Sequence, residues 1–237
     1  MKHIVVLTGA GVSAESGLKT FRDSNGLWEG HDVMEVATPE GFANNPQLVL
    51  DFYNQRRRQL LQVKPNAAHK ALVTLEDKFK VDIITQNVDD LHERAGSSNV
   101  MHLHGELLKV RSTQSDIEPI SWTKDILLGD RCEKGFQLRP HIVWFGEAVP
   151  LMDTAIEITK KADILIIIGT SMQVYPAAGL IDFVNNDVPI YFIDPKPSIS
   201  KNNRNELTIL KSSAADGLPK LVQLLLAKEA EPWRIKG

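Results

Sequence analysis

Met101-His102-Leu103-His104-Gly105 sets two imidazoles two residues apart at the end of an apolar run. In a strand that spacing places both rings on one face. Imidazole titrates near neutral pH, at about 6.5, so either ring suits proton abstraction from a hydroxyl. A purely structural role suits either ring as well. Gly105 permits close approach of a ligand. Upstream, Val81-Asp82-Ile83-Ile84 leads into Thr85-Gln86-Asn87-Val88-Asp89-Asp90-Leu91-His92. Gln86 and Asn87 offer donors and acceptors matched to hydroxyls and a carboxamide. Asp89 suits a carboxamide N–H or a developing positive charge. The competing role for Asp89 or Asp90 is to cap a helix.

Val5-Val6-Leu7-Thr8-Gly9-Ala10-Gly11-Val12-Ser13-Ala14 is a strand-like run opening into Gly-x-Gly-x-x-Ala. This is the spacing of a dinucleotide-binding turn. Gly9 serves the tight turn, Gly11 the close approach of a pyrophosphate, and Ala14 a helix packed near the sheet. The helix expected next presents N–H groups and its positive dipole end to the phosphates. A hydride-transfer enzyme then carries an acid after a second strand, about 20 residues on. Here residues 14–22 are polar and unlike a strand. The acid that follows a convincing strand is Asp194, after Ile190-Tyr191-Phe192-Ile193. It suits a ribose hydroxyl or a simple turn with Pro195. A dehydrogenase is thereby disfavoured.

The elements that must position these groups follow from the hydrophobic pattern. Apolar runs recur at 4–8, 81–85, 100–103, 142–145, 164–168 and 189–193, several continuous, as in parallel strands covered on both faces. Helical patterns occupy 46–63 and 67–79, and Leu218, Leu221, Val222 and Leu225 repeat at helical spacing with Pro219 near the start. The alternation predicts an α/β fold with a doubly wound, Rossmann-like parallel sheet. Residues 24–66 and 110–140 break the pattern and are expected to form a smaller domain from two insertions. Residues 1–23, 67–109 and 141–227 are then the dinucleotide-binding domain, and 228–237 a loose tail.

The chain of 237 residues carries a net charge of -3, which argues against general binding of polyanions. Its basic residues are scattered, apart from Arg56-Arg57-Arg58, so no nucleic acid partner is expected. The single cysteine, Cys132, excludes an intrachain disulfide and any multi-cysteine zinc site, and fits a reducing compartment. No apolar run approaches the roughly 20 residues of a membrane helix, and Met1 to Leu7 lacks the form of a signal peptide. The expectation is a cytoplasmic monomer with no membrane partner.

Taken together, Gly9-Ala10-Gly11-Val12-Ser13, Thr20-Phe21-Arg22, Thr85-Gln86-Asn87-Val88-Asp89, His102-Leu103-His104-Gly105, Val143-Trp144-Phe145-Gly146-Glu147 and Gly169-Thr170-Ser171 resemble the sirtuin family of NAD-dependent lysine deacylases. The resemblance implies NAD as a consumed co-substrate. It places Gly9, Ala10, Gly11, Ser13, Ala14 and Glu15 along the dinucleotide, with Phe21, Arg22 and Trp28 on its ribose and nicotinamide side. Gln86 would hold the ribose, and Asn87, Val88 and Asp89 the nicotinamide pocket. Gly169, Thr170, Ser171, Asp194 and Ala214 would line the adenosine side. Asp194 stands where the family often has Asn.

The implied reaction has an acyl carbonyl oxygen attack the ribose carbon as nicotinamide leaves. His104 draws a proton from a ribose hydroxyl, with Asn87 and Asp89 as further catalytic groups. The products are nicotinamide, an O-acyl-ADP-ribose and free lysine. Phe21 would shield the sugar cation. Val143, Trp144, Phe145, Gly146 and Glu147 would pair with the acyl-lysine peptide as an added strand.

Tyr53 and Arg56, at i, i+3, resemble the desuccinylase and demalonylase branch, whose Tyr-x-x-Arg pair reads an acidic acyl tail. Spacing alone leaves Arg57 equally placed. The small Ala14 fits the wider acyl pocket of that branch. Relatives carry a structural zinc on four cysteines, but Ser112 and Thr113 stand where the first thiolate is expected. No zinc is therefore predicted. Residues 110–140 would be held instead by Ile117, Ile120, Trp122, Ile126, Leu127, Leu128 and Phe136. Two rival readings share these residues: an ADP-ribosyltransferase or NAD hydrolase, and a non-enzymatic NAD-sensing module.

Overall fold

The computed structural model describes residues 1–19, 27–28, 30–114, 118–198 and 206–230. Phe21, Arg22 and Ile117 lie outside the described residues. In chain order the strands are β1 (His3–Thr8), β2 (Leu27–Trp28), β3 (His31–Asp32), β4 (Lys80–Thr85), β5 (Val100–His102), β6 (Gly105–Ser112), β7 (Ile120–Ser121), β8 (Leu138–Ile142), β9 (Ile164–Ile168), β10 (Ile190–Ile193) and β11 (Leu207–Leu210). The helices are α1 (Val33–Val36), α2 (Pro39–Asn44), α3 (Pro46–Leu60), α4 (Ala67–Leu75), α5 (Leu91–Ala95), α6 (Met152–Thr159) and α7 (Ala214–Ala230).

Six strands form one parallel sheet in the order β11-β10-β9-β1-β4-β5. The chain winds outward from β1 in both directions, so the order reverses between β1 and β9. In doubly wound sheets ligands bind at such a switch point, beyond the strands' carboxyl ends. Strands β1 and β9 are buried along their whole length, which is why β9 and the Ile4–Leu7 stretch of β1 are continuously apolar. Ile4, Val6, Ile166 and Ile168 pack with Leu72 of α4 and Leu218 of α7 on one face. Val5, Leu7, Leu165 and Ile167 pack on the other with Ala155 of α6 and Leu180. Each such side chain contributes about 1.5–3 kcal/mol by burial.

The rest of the chain builds around α3. Asn45 accepts from the Leu48 N–H and Pro46 occupies the first turn, which fixes where this helix starts. Its inner face carries Val49, Phe52, Tyr53 and Leu60 against Leu107, Ile142 and Trp144. Below them Leu50 packs with Ile126 and with Val110 and Leu138 of an antiparallel sheet ordered β7-β6-β8. The Asn54 amide donates to the Ile126 carbonyl and accepts from the Ile126 N–H, tying α3 to the 122–138 loop.

Several expectations need correction. No α-helix follows the glycine turn. Two single-turn 3-10 segments at Ala10–Val12 and Ala14–Ser16 stand there instead, closed by Gly17 at φ +98°. The run at 142–145 does not continue the parallel sheet. The strand lies earlier, at Leu138–Ile142, antiparallel to β6, because the Phe145 N–H turns to the Ala37 carbonyl. Strand β6 has no continuous apolar run; its burial alternates roughly in step with the pleat. Pro219 lies well inside α7, not at its start. In the 110–140 segment Ile126 is buried and Trp122 packs beside it, but Ile120, Leu127 and Leu128 are exposed.

Candidate active site

Register brings the catalytic candidates together. Thr8 pairs with both Thr85 and Ile168, Thr85 with His102, and Ile168 with Ile193. The five strand ends are level, so the loops beginning at Gly9, Gln86, Leu103, Gly169 and Asp194 leave from one edge. A cavity of about 520 Å³ opens along it. One end of the lining comes from Gly9, Ala10, Gly11, Ser13, Ala14 and Glu15, with Gly169, Thr170, Ser171, Asp194 and Ala214 beside them. Gln86, Asn87, Val88, Asp89 and His104 form the middle. The far wall is Trp28, Tyr53, Arg56, Val143, Trp144, Phe145, Gly146 and Glu147. Each site residue expected from the sequence, among the described residues, therefore borders one cavity.

The glycines work differently from the expectation. Gly9 is extended, with φ −128° and ψ −174°, a conformation open to any residue. Glycine is required because the turn lies against the β9 loop. A Cβ on Gly9 would meet the Gly169 carbonyl at 2.8 Å, one on Gly11 the Gly169 Cα at 2.6 Å, and one on Gly169 the Val12 N at 2.4 Å. Gly169 also sits at φ +61°. The N–H groups of Gly9, Gly11, Val12 and Ser13 already donate to the carbonyls of Ile168, Gly169, Gly9 and Ala10. Gly11 thus holds two loops together. Ala14 is exposed at the cavity and packs no helix on the sheet. Glu15 caps α7, accepting from the Ser213 hydroxyl and the Ala215 N–H at 2.8 Å each.

Gln86, Asn87 and Asp89 are fixed by a buried polar network. The Asn87 amide donates to the Gly9 carbonyl at 3.2 Å and to Ser13 Oγ at 3.3 Å, leaving Oδ1 as its remaining acceptor. Ser13 Oγ donates to Asp89 Oδ2 at 2.9 Å, and the Leu91 N–H donates to Oδ1. Asp89, not Asp90, therefore holds the start of α5. Burial raises the Asp89 carboxyl above the usual range, and its two donors partly offset this. Gln86 donates to Thr170 Oγ1 at 3.1 Å, bridging the two sides of the switch point. The Asp194 carboxylate accepts from the Lys196 N–H while bordering the cavity, so its turn and cavity roles coexist.

The two histidines after β5 diverge. His102 Nδ1 donates to the Asn87 carbonyl at 2.9 Å and Nε2 to Glu93 Oε1 at 2.7 Å. With an acceptor facing each nitrogen, the surroundings favour the charged ring. Burial opposes the charge, but the Glu93 bond outweighs it and raises the pKa. His104 Nδ1 donates to the Gln86 carbonyl at 3.0 Å. A carbonyl only accepts, so in the neutral ring Nε2 carries the lone pair. Burial pushes this pKa below 6.5, and the Gln86 bond pulls it partly back.

The far wall separates the three arginines of α3. Arg57 is buried, donating to the Leu107 carbonyl at 3.0 Å and to Asn54 at 2.8 Å. Arg58 points outward to Asp125. Arg56 alone of the three borders the cavity, its guanidinium 4.3 Å from the centre of the Trp28 ring. Trp28, expected along the dinucleotide, thus packs on the Tyr53/Arg56 wall. Tyr53 is fully buried, accepts from Trp144 Nε1 at 3.1 Å, and has its pKa pushed up to about 12 by burial.

Residues 143–147 form a turn, not a strand. The Glu147 carboxylate accepts from Arg139 at 2.7 and 3.1 Å, from Arg111 at 2.9 Å and from the Trp144 N–H at 2.8 Å. The Val143 and Phe145 N–H groups donate to the His104 and Ala37 carbonyls. The segment is pre-shaped by its own interior, with the Trp144 and Glu147 side chains committed there. Sequence reading also missed Lys196, Tyr175 and Gln59 in the lining, which carry no local motif. It missed the buried His69 and His92, whose ring centroids are 4.9 Å apart behind Ser13 and Thr8.

The sequence pattern of the Sir2 family matches residues 9–176. The NAD-dependent protein deacylase of Helicobacter pylori strain 26695 is 59% identical over 227 residues, covering 94% of this chain and 99% of that one. The solved structure of a mutant Sir2 homologue with ADP-ribose superimposes with a TM-score of 0.88 at 38% identity, covering 98% of this chain and 95% of that one. A Sir2 homologue with NAD gives 0.85 at 39%, covering 96% and 90%. The fold and site are those of a sirtuin-type, NAD-consuming enzyme. The chain belongs to the Sir2 family.

Proposed function

We propose that the chain is an NAD-dependent protein-lysine deacylase that accepts acetyl groups and acidic acyl groups such as succinyl and malonyl. One observation carries the reading: the basic Nε2 ring of His104 borders the same cavity as the interlocked loops at Gly11 and Gly169. The donor set fits a dinucleotide. Asn87 keeps an acceptor for a carboxamide, and Asp194 offers a carboxylate for a ribose hydroxyl. NAD, when bound, supplies the glycosidic bond whose cleavage drives acyl transfer. His104 takes a proton at Nε2 from a ribose hydroxyl, and Gln86, through its carbonyl, keeps the ring in the right tautomer. Asn87 and Asp89 orient the carboxamide. The acyl-lysine peptide lies along 143–147, a segment already shaped by its own hydrogen bonds. Tyr53 and Arg56 meet a carboxylate at the end of the acyl chain.

The division into 1–23, 67–109 and 141–227 against 24–66 and 110–140 belongs to this proposal; Leu50, Val110, Ile126 and Leu138 form an apolar cluster of the two insertions, while the α3 cluster also takes in Leu91, Leu107, Ile142 and Trp144 across the boundary. So do the absence of structural zinc, a monomeric state and a cytoplasmic location. No helix of the described residues is long and apolar enough to cross a membrane.

The test is to incubate the protein with NAD and an acyl-lysine peptide and to identify the products by mass spectrometry. Unmodified peptide, nicotinamide and O-acyl-ADP-ribose are expected. Free ADP-ribose, or ADP-ribose attached to protein, in their place would establish an NAD hydrolase or a transferase.

A further inference from the structure

We propose that Trp144 is a specificity-positioning residue, which fixes the direction of the Tyr53 hydroxyl proton and so lets α3 select acyl groups ending in an acceptor. The inference rests on the acidic-acyl reading above and adds to it a residue outside the Tyr-x-x-Arg pair.

An indole N–H only donates, whereas a phenol has one proton and two acceptor sites. The 3.1 Å contact between Trp144 Nε1 and Tyr53 therefore has one sense: Tyr53 accepts. Its own proton remains for a different partner, and no bond donated by Tyr53 is found among the described residues. The ring is fully buried yet borders the cavity, so a ligand atom can meet that proton without competition from bulk water. A buried hydroxyl left without an acceptor is costly, and an acceptor on the acyl tail removes the cost. The proton stays in place, because burial holds the phenol pKa at about 12.

Trp144 can impose this direction because its own ring is fixed. The Arg139 guanidinium lies 3.3 Å from the indole centre, and Phe42 packs at 5.3 Å. The Trp144 backbone N–H is held by Glu147, which also grips Arg139. One helical turn from Tyr53, Arg56 borders the same wall, stacked over Trp28. A carboxylate reaching this wall meets the Tyr53 side chain, whose proton is not directed at Trp144, and one guanidinium. A methyl terminus accepts from neither.

The test measures kcat/KM on matched succinyl- and acetyl-lysine peptides and reads their ratio in a mutant cycle. Trp144→Phe keeps an aromatic ring and deletes the N–H. It should lower the succinyl-to-acetyl ratio about fivefold, the order one neutral hydrogen bond supplies. In a Tyr53→Phe background the same substitution should change the ratio by less than about twofold, since the group it acts through is gone. A general packing role for Trp144 would act equally in both backgrounds, and that result overturns the proposal. So does an unchanged ratio in Trp144→Phe when Arg56→Met collapses it. If Arg56→Met itself leaves the ratio unchanged, the acidic-acyl reading fails and this inference with it. Should Trp144→Phe not fold, β-(3-benzothienyl)alanine at 144 keeps the bicyclic shape without the N–H and repeats the cycle.

Discussion

His104 and Gln86 are joined by a 3.0 Å hydrogen bond from the imidazole Nδ1 to the backbone carbonyl, which leaves Nε2 as the basic nitrogen. Burial lowers the ring's pKa below 6.5, so the neutral base persists on the acid side of that value. The acid limb of kcat/KM against pH should therefore have its midpoint below 6.5. A midpoint above 6.5 is incompatible with this buried ring as the base. His104→Ala should cost about a hundred- to ten-thousandfold in kcat/KM, the range for losing a general base.

Arg56 is the one arginine of α3 that reaches the cavity, since Arg57 is buried against the Leu107 carbonyl. A hydrogen bond to a charged group is worth about 1.5–3 kcal/mol. Arg56→Met should lower kcat/KM for a succinyl-lysine peptide by about ten- to a hundredfold, and much less for the acetyl-lysine counterpart. Equal losses on the two peptides would refute a carboxylate role.

The parallel sheet was readable because its strands are buried on both faces, and burial on both faces writes itself as unbroken apolar runs such as 164–168. Strand β6 was not, because its alternating burial reads as polar sequence. The catalytic candidates were recognised as a set because their motifs each follow a strand, and register then brings the strand ends level. What the glycine spacing could not reveal was its physical reason: the Gly-x-Gly turn presses on Gly169, which lies 158 residues beyond Gly11 in sequence (169 − 11). Likewise α3 periodicity left Arg56 and Arg57 equivalent, because their distinction lies in β6, which accepts from one of them.

Gly11 and Gly169 should fail together. A methyl on either meets backbone of the opposing loop at 2.6 Å or less, and Gly169 adds left-handed backbone strain of about 1–2 kcal/mol. Gly11→Ala and Gly169→Ala should each weaken NAD binding at least about tenfold by calorimetry and lower the melting temperature. If Gly11 served only pyrophosphate contact, Gly11→Ala alone would lose NAD and Gly169→Ala would bind normally.

Arg139 and Arg111 both grip Glu147 and both donate to the Ile142 carbonyl, but Arg139 is 7% exposed and also stacks on Trp144. Removing one partner of a buried pair costs about 3–5 kcal/mol, whereas an exposed pair contributes about 0–1. Because Glu147 keeps some solvent contact, Arg139→Ala should cost about 2–3 kcal/mol in urea unfolding and Arg111→Ala about 1 kcal/mol or less. Glu147 titrates below its usual value: burial works against this, but the Arg139 bond prevails. A depressed carboxyl pKa stabilises above the unfolded value and loses that effect as pH falls through the folded one. The gap between wild type and Glu147→Gln should thus be full at pH 7 and shrink below pH 4.5. A gap constant from pH 7 to pH 3 would show that the charge is irrelevant.

The segment 110–140 should need no metal. Tetrahedral zinc takes four N or S ligands. Cys132 lies with its Sγ 3.6 Å from the Ser112 hydroxyl, at the position where the family resemblance implies a thiolate, but an alcohol is not a zinc ligand of that kind. Among the described residues no group of three His, Cys, Asp or Glu side chains is placed to hold an ion. Val110, Ile126 and Leu138 pack against Leu50 there, and Asn54 and Ile126 exchange paired bonds. Protein purified without chelator should contain well below one zinc per chain, and a chelator should leave its melting temperature unchanged. Ile126→Ala should cost about 2–5 kcal/mol, as for other fully buried truncations. Stoichiometric zinc, or a chelator that melts the protein, would mean that ligands outside this set hold the module together.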